Sequence, residues 1–382
     1  MAQVEKKEFN VKDYKSRESS YDKRVKDLED ELSKTKYNKK TQSHIGLVKA
    51  KLAKIKEDFQ KKASSKGKGQ GFNVKRGGDA TVIMVGFPSV GKSTLLNALT
   101  NANSPVGAYA FTTLTCIPGL LEYKHAQIQV LDVPGIVEGA ATGRGRGKEV
   151  LACAQSADLV MMLVDIFQPE HLAVIQQEIQ ETGLRINQKI PDVKISKKTR
   201  GGIDLGYTVK LTKLDEETIK GILKEFRLEN SSLVLREDIT DDQLIDVIEG
   251  NKKYVPGIIV LNKIDMVDKD ELERVNAIVN PDICISAEMK LNIEELKNLI
   301  FERLNFSRVF CKEAGKKADM NVPIIMRKGN TLRDVCIKLH KDFVSKFKYA
   351  RIWGTSSRFP GMPVRRLEYV LEDNDIVEIH LN

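Results

Sequence analysis

GFPSVGKSTLLNAL, residues 86–99, follows the apolar run TVIMV and opens a stretch with helical spacing. Gly86, Gly91, Lys92 and Ser93 satisfy GxxxxGK[ST], and the order strand, loop, helix is the context in which that pattern builds a phosphate cradle. The backbone N–H groups of Phe87, Pro88's successors Ser89, Val90 and Gly91, and the first helical residues Lys92, Ser93 and Thr94 are expected around the β-phosphate. Lys92 is placed to reach the β and γ oxygens, and Ser93 to ligate Mg²⁺.

Three later segments extend the site. In DVPGI, residues 132–136, Asp132 ends an apolar strand where a Mg²⁺-linked acid is needed, and Gly135 can offer its N–H to a γ-phosphate. NKID supplies Asn262, Lys263 and Asp265 after PGIIVL. A carboxylate at Asp265 can accept two hydrogen bonds from guanine, whereas adenine has no such donor pair on that edge. SAE, residues 286–288, follows DICI and is expected to bring the backbone amides of Ser286 and Ala287 to the base oxygen. Each pattern alone is common. Four in order, each at a strand end, point to a guanine nucleotide, GTP or GDP. Ile136 has no hydrogen-bonding group, so any attacking water must be aligned by another group.

The chain has 382 residues, 41% of them hydrophobic and 30% charged, which fits several globular domains. No apolar run approaches the ~20 residues of a membrane span, and the N-terminus lacks the apolar core of a secretory signal. A cytoplasmic location is therefore expected. Five widely spaced cysteines and five scattered histidines match neither a disulfide framework nor a zinc or nucleophile motif. Charge is asymmetric. Residues 1–76 hold 22 Lys or Arg against 11 Asp or Glu, while the rest holds 40 against 42. Such an arm fits a polyanion, RNA or ribosome, because neutralised phosphates release counterions; a solvated helix face is the alternative.

Apolar residues at Val25, Leu28 and Leu32, then at Ile45, Val48, Leu52, Ile55 and Phe59, mark stripes on two helices. Beyond the phosphate loop, apolar runs alternate with helical stretches, which predicts an α/β domain with parallel strands and helices on both faces. Residues 165 and 262, ending successive strands, lie 97 positions apart, although a βαβ unit needs only about 30. A small α+β subdomain is expected in that interval. Its KISKKTRGG tract reads either as an RNA contact or as a solvated turn. After Leu304 a third texture predicts a β-sheet wrapped on a helix.

FTTLTCIPG, DVPGIVEGA, GRGRG, NKID and FKYARIWGTS together resemble the developmentally regulated GTP-binding proteins, Obg-related GTPases, and most closely their second paralogue. The resemblance implies a helical hairpin and linker (1–70), a P-loop GTPase domain (71–183 and 240–305), an insert like domain 2 of ribosomal protein S5 (184–239) and a β-grasp TGS domain (306–382). It implies Thr113 as the switch threonine that completes the Mg²⁺ shell, with Thr112 as the alternative, and so Lys92, Thr113 and Gly135 as catalytic. It further implies ribosome association and an RWD-containing family regulatory protein as partner; neither membrane nor DNA is expected. Relatives can use K⁺ held by a phosphate-loop asparagine, where this chain has Ser89. Arg144 and Arg146 are further candidates for stabilising charge, or members of a solvated loop. Two readings follow: a slow Mg²⁺-dependent GTPase acting in translation, or an RNA-binding adaptor with a structural nucleotide.

Overall fold

In the computed structural model, which describes residues 11–36, 38, 41–64, 78–100, 117–133 and 155–382, the chain begins with α1 (Val11–Lys34) and α2 (Gln42–Ser64). Next come β1 (Ala80–Val85), α3 (Lys92–Leu99), β2 (Ile117–Tyr123), β3 (Ala126–Asp132), β4 (Leu159–Asp165), α4 (His171–Glu181) and β5 (Leu184–Ile186). The inserted interval holds β6 (Val193–Lys197), β7 (Ile203–Tyr207), α5 (Glu216–Glu225), β8 (Ser231–Leu235) and α6 (Asp241–Glu249), followed by β9 (Lys253–Val255). Then follow β10 (Gly257–Asn262), α7 (Lys269–Val279), β11 (Ile283–Cys284) and α8 (Ile293–Arg303). The C-terminal region contains β12 (Phe306–Cys311), β13 (Ile324–Arg327), α9 (Leu332–Leu339), α10 (Phe343–Lys346), β14 (Phe347–Trp353), β15 (Met362–Val364) and β16 (Asp375–Leu381).

The six-stranded sheet runs β11-β10-β4-β1-β3-β2 and is parallel except for β2. All six residues of β1 are buried, as in a strand covered on both faces, which is why its sequence is a continuous apolar run. One face packs Val82, Met84, Leu95, Leu99 and Leu296; the other packs Ile83, Val85, Ile175 and Val275. The antiparallel edge strand β2 turns into β3 through Lys124 and His125, both at positive φ (48° and 69°). Two such residues make the mirror-image turn that suits a hairpin, but Lys-His lacks the usual Asn-Gly signal. Pro118 is tolerated there because an edge strand has one unpaired side.

Residues 1–71 and 189–252 form one unit, and residues 72–188 with 253–382 form a second. In the first, β6-β8-β7 is a three-stranded sheet whose Leu233 and Leu235 are buried under α5 and α6. Asp215 caps α5 by accepting the Thr218 N–H at 2.7 Å, and Thr240 with Gln243 forms a capping box on α6. Helix α2 joins this core through Ala50 and approaches α5 closely. A Cβ added at Gly46 would lie 2.9 Å from Thr218 Cγ2, and one at Gly221 would lie 2.8 Å from Leu47 Cδ2. The sequence reading bounds the insert at 184–239 and separates it from the hairpin; the structure differs on both points. Residues 184–186 pair with β9 in the second unit, and α6 adds Leu244 and Ile245 to the core that α2 completes.

Within the second unit the C-terminal sheet runs β13-β12-β16-β14-β15 around α9, whose Leu332, Val335 and Cys336 are buried on it. Phe306 and Ile325 also reach the core of the larger sheet. Arg327 pairs with Asp158 at 2.6 Å and Lys338 with Asp79 at 3.0 Å, at the N-terminal ends of β4 and β1. Burial pushes the thiols of Cys284 and Cys336 up, and that of Cys311 to about 11. These three are free cysteines, two of them half-buried and Cys336 buried.

Candidate nucleotide site

The parallel strands β1, β3 and β10 deliver the motif residues to one end of the sheet. Gly86 ends β1 so tightly that a Cβ would stand 2.7 Å from the Leu163 carbonyl oxygen. The loop then turns through Ser89 at φ 64° and Gly91 at φ 95°, a left-handed conformation that costs a residue other than glycine. Gly91 caps α3, and Leu95, Leu96 and Leu99 anchor that helix beneath the loop, so its N-terminus faces the phosphate position. Val90 is buried, whereas Pro88, Ser89 and Ser93 are exposed and Phe87, Lys92 and Thr94 half-buried. Lys92 Nζ donates to the carbonyl oxygens of Gly86 (2.9 Å) and Phe87 (2.8 Å), which holds the ammonium over the loop.

Asp132, at the end of β3, is only 7% exposed and its Oδ1 has no hydrogen-bond partner. Burial raises its carboxyl above the ordinary aspartate range; the Lys92 charge and the Ser93 hydroxyl oppose this. A buried, partly unsatisfied carboxylate beside Ser93 fits a hard divalent cation, which takes oxygen ligands. Thr112, Thr113, Gly135, Ile136, Arg144 and Arg146 lie outside the described residues.

At the base end, Asn262 is buried and its carboxamide joins two loops. Its Nδ2 donates to the Val90 carbonyl oxygen at 2.8 Å, and its Oδ1 accepts the Ala287 N–H at 3.0 Å. The Ser286 N–H donates to Leu291 O at 3.3 Å, and Ser286 Oγ accepts the Met289 N–H. Both amides donate within the protein, to Leu291 O and Asn262 Oδ1, as Lys92 donates to its own loop carbonyls. Lys263 sits at φ 69° and Asp265 in the short 3₁₀ turn Ile264–Met266, with its carboxylate exposed. That open carboxylate suits the guanine donor pair.

The sequence reading misses two supports. Asp165, ending β4, holds Lys263 Nζ at 2.6 Å, and the His171 ring stacks on Phe87 at 3.7 Å. DLVMMLVD ends in an acid after an apolar run, the same signal that marks Asp132; no sequence signal pairs Phe87 with His171. Among the described residues no cluster of His, Cys, Asp and Glu forms a protein-only metal site, and no helix is long and apolar enough to cross a membrane.

A phosphate loop on a parallel sheet, an acid-lined cation position and an NKID base end define a P-loop GTPase. Family models agree: 50S ribosome-binding GTPase matches residues 81–197, the C-terminal region of the MMR_HSR1 domain matches 200–306, and a TGS domain matches 307–381. An uncharacterized GTP-binding protein of Methanocaldococcus jannaschii is 51% identical over 93% of this chain and 91% of its own. Developmentally-regulated G-protein 3 of Arabidopsis thaliana is 44% identical over 93% and 97%, and human developmentally-regulated GTP-binding protein 2 is 41% identical over 93% and 98%. The chain belongs to the developmentally regulated GTP-binding protein family. It has the GTP-binding domain and the TGS domain of that family.

Proposed function

We propose that the protein hydrolyses GTP to GDP and phosphate with Mg²⁺, slowly when alone, in the cytoplasm and in association with ribosomes or RNA. The observation that carries the reading is Asp132, a buried carboxylate with an unpaired oxygen beside Ser93 and Lys92. A site that only stored nucleotide would have less use for it. Ser93, Asp132 and, by family resemblance, Thr113 would hold the Mg²⁺, which when bound neutralises charge on the β and γ oxygens. Lys92 exchanges its loop carbonyls for phosphate oxygens, and the N-terminus of α3 presents amides to the same charge. Ile136 supplies no water-orienting group, so K⁺ near Ser89, the Gly135 amide or a partner is assigned that task. Phosphate release in a single turnover, with and without K⁺, Mg²⁺ and ribosomes, tests this. A rate no faster than Lys92→Ala under every condition would leave only the adaptor reading.

The ribosome or RNA part rests on charge. Residues 1–76 carry a net excess of basic side chains, and Lys23, Arg24, Lys26 and Lys51 are exposed on α1 and α2. Replacing the exposed Lys23, Arg24, Lys26 and Lys51 by glutamate, which leaves the packing of α2 on its core in place, should weaken RNA or ribosome binding and flatten its salt dependence; an unchanged affinity and slope would remove the claim. The RWD-containing regulatory partner is proposed from family resemblance and is tested by co-purification with this chain.

A further inference from the structure

The turn formed by residues 165–171 reaches both halves of the nucleotide site, although no nucleotide motif runs through it. At one end the Asp165 carboxylate is mostly buried. Its Oδ1 accepts the Phe167 N–H at 3.1 Å and its Oδ2 pairs with Lys263 Nζ at 2.6 Å. In the middle the Ile166 N–H donates to the Asn262 carbonyl oxygen at 3.2 Å. At the other end His171 stacks on Phe87 of the phosphate loop, with 18° between the rings.

We propose that Asp165 is a positioning residue for the guanine site, acting through Lys263. The proposal rests on the reading of NKID as the base-recognition segment. Lys263 is left-handed at φ 69°, a conformation lysine disfavours, and its side chain has four freely rotating carbons. The ion pair with Asp165 draws the ammonium to the end of β4 and fixes the stem next to Asp265 before any ligand arrives. Ordering the lysine in the free protein removes that entropic cost from nucleotide binding. The geometry supports a firm anchor. The Asp165 side chain is 13% exposed and that of Lys263 29%, so the pair is shielded, and removing the lysine would leave a carboxylate poorly compensated. The Phe167 N–H bond fixes the carboxylate's direction, so the pair orients the lysine rather than following it.

The test is dissociation of a fluorescent GDP analogue from the full chain in Asp165→Ala, Asp165→Asn, Lys263→Ala and the double variant Asp165→Ala/Lys263→Ala. Asp165→Ala should speed dissociation about tenfold, and the double variant should release no faster than Lys263→Ala alone, because the aspartate acts through the lysine. Asp165→Asn preserves shape and should give an intermediate rate, which guards against a folding defect in the alanine variant. Dissociation within about twofold of the parent in both Asp165 variants, or single effects that multiply in full in the double variant, would overturn the proposal. Asp265→Asn serves as the separate control. It should lose GDP and gain xanthosine diphosphate; if it does neither, the base-recognition reading fails and the proposal falls with it, whereas a normal control with silent Asp165 variants sinks the positioning role alone.

Discussion

Acidic residues at the strand ends of the larger sheet are answered in two ways. Asp79 and Asp158 at the N-terminal ends, and Asp165 at the C-terminal end of β4, are completed by the protein, whereas Asp132 at the end of β3 is not. At the N-terminal ends every carboxylate oxygen is answered by the protein. Asp79 accepts the Gln127 N–H at 3.0 Å and pairs with Lys338, while Asp158 accepts the Thr81 N–H at 3.0 Å and pairs with Arg327. Near the C-terminal ends, in the register of Met84, Asp132 keeps one buried oxygen without a partner. The completed carboxylates at the N-terminal ends hold the C-terminal sheet in place. One left open at a comparable burial is a place for a ligand, since an unanswered buried acceptor costs stability that only binding recovers.

That contrast can be broken at four points, in descending order of effect. Lys92→Ala should slow single-turnover phosphate release by about 100- to 1000-fold, the range for losing a charge-stabilising donor; a change under about threefold would place the chemistry elsewhere. Gly91→Ala meets both a φ of 95° and the Asn262 carboxamide, whose Nδ2 would stand 2.5 Å from the new Cβ. It should cost about 1–3 kcal/mol in thermal or denaturant unfolding and weaken GDP binding in parallel.

Asp132→Asn carries a sign that separates this carboxylate from the completed ones. The folded-state carboxyl is raised by burial, so its stabilising contribution is present at low pH and is lost as pH rises through the folded value. In the absence of nucleotide and Mg²⁺ the variant should therefore be more stable than the parent at neutral pH, while losing Mg²⁺-dependent GTP affinity. Unfolding midpoints across pH would show a flatter profile than the parent. The smallest effect belongs to the N-terminal ends. Arg327→Ala and Lys338→Ala, whose side chains are 49% and 43% exposed, should each cost less than about 1 kcal/mol and leave GDP dissociation unchanged. A change in dissociation from either would mean that the two ends communicate.

Much of this was legible in the sequence. The runs TVIMV, LVMMLVD and GIIVLN became β1, β4 and β10 because strands buried on both faces read as near-continuous apolar runs, while QIQVLD became β3 with Gln127 exposed and Gln129 buried. Asp132, Asn262 and Asp265 could be named because strand-end motifs are local in the chain. Edge strand β2 was not legible, since Lys124 and His125 give no hairpin signal. Nor was the union of α2 with α5, where Gly46 and Gly221 look like ordinary glycines until the helices meet.

The sequence by itself determined the class of ligand, because phosphate and guanine are recognised by short segments whose residue types are set by chemistry. Only the tertiary structure decided what those segments do with their polar groups. It set the Ala287 N–H against the Asn262 carboxamide, and it left one Asp132 oxygen open. It also brought Asp165 and Lys263, 98 positions apart, into an ion pair. Hydrogen-bond satisfaction depends on every neighbour in space, and spacing along a chain carries no record of it.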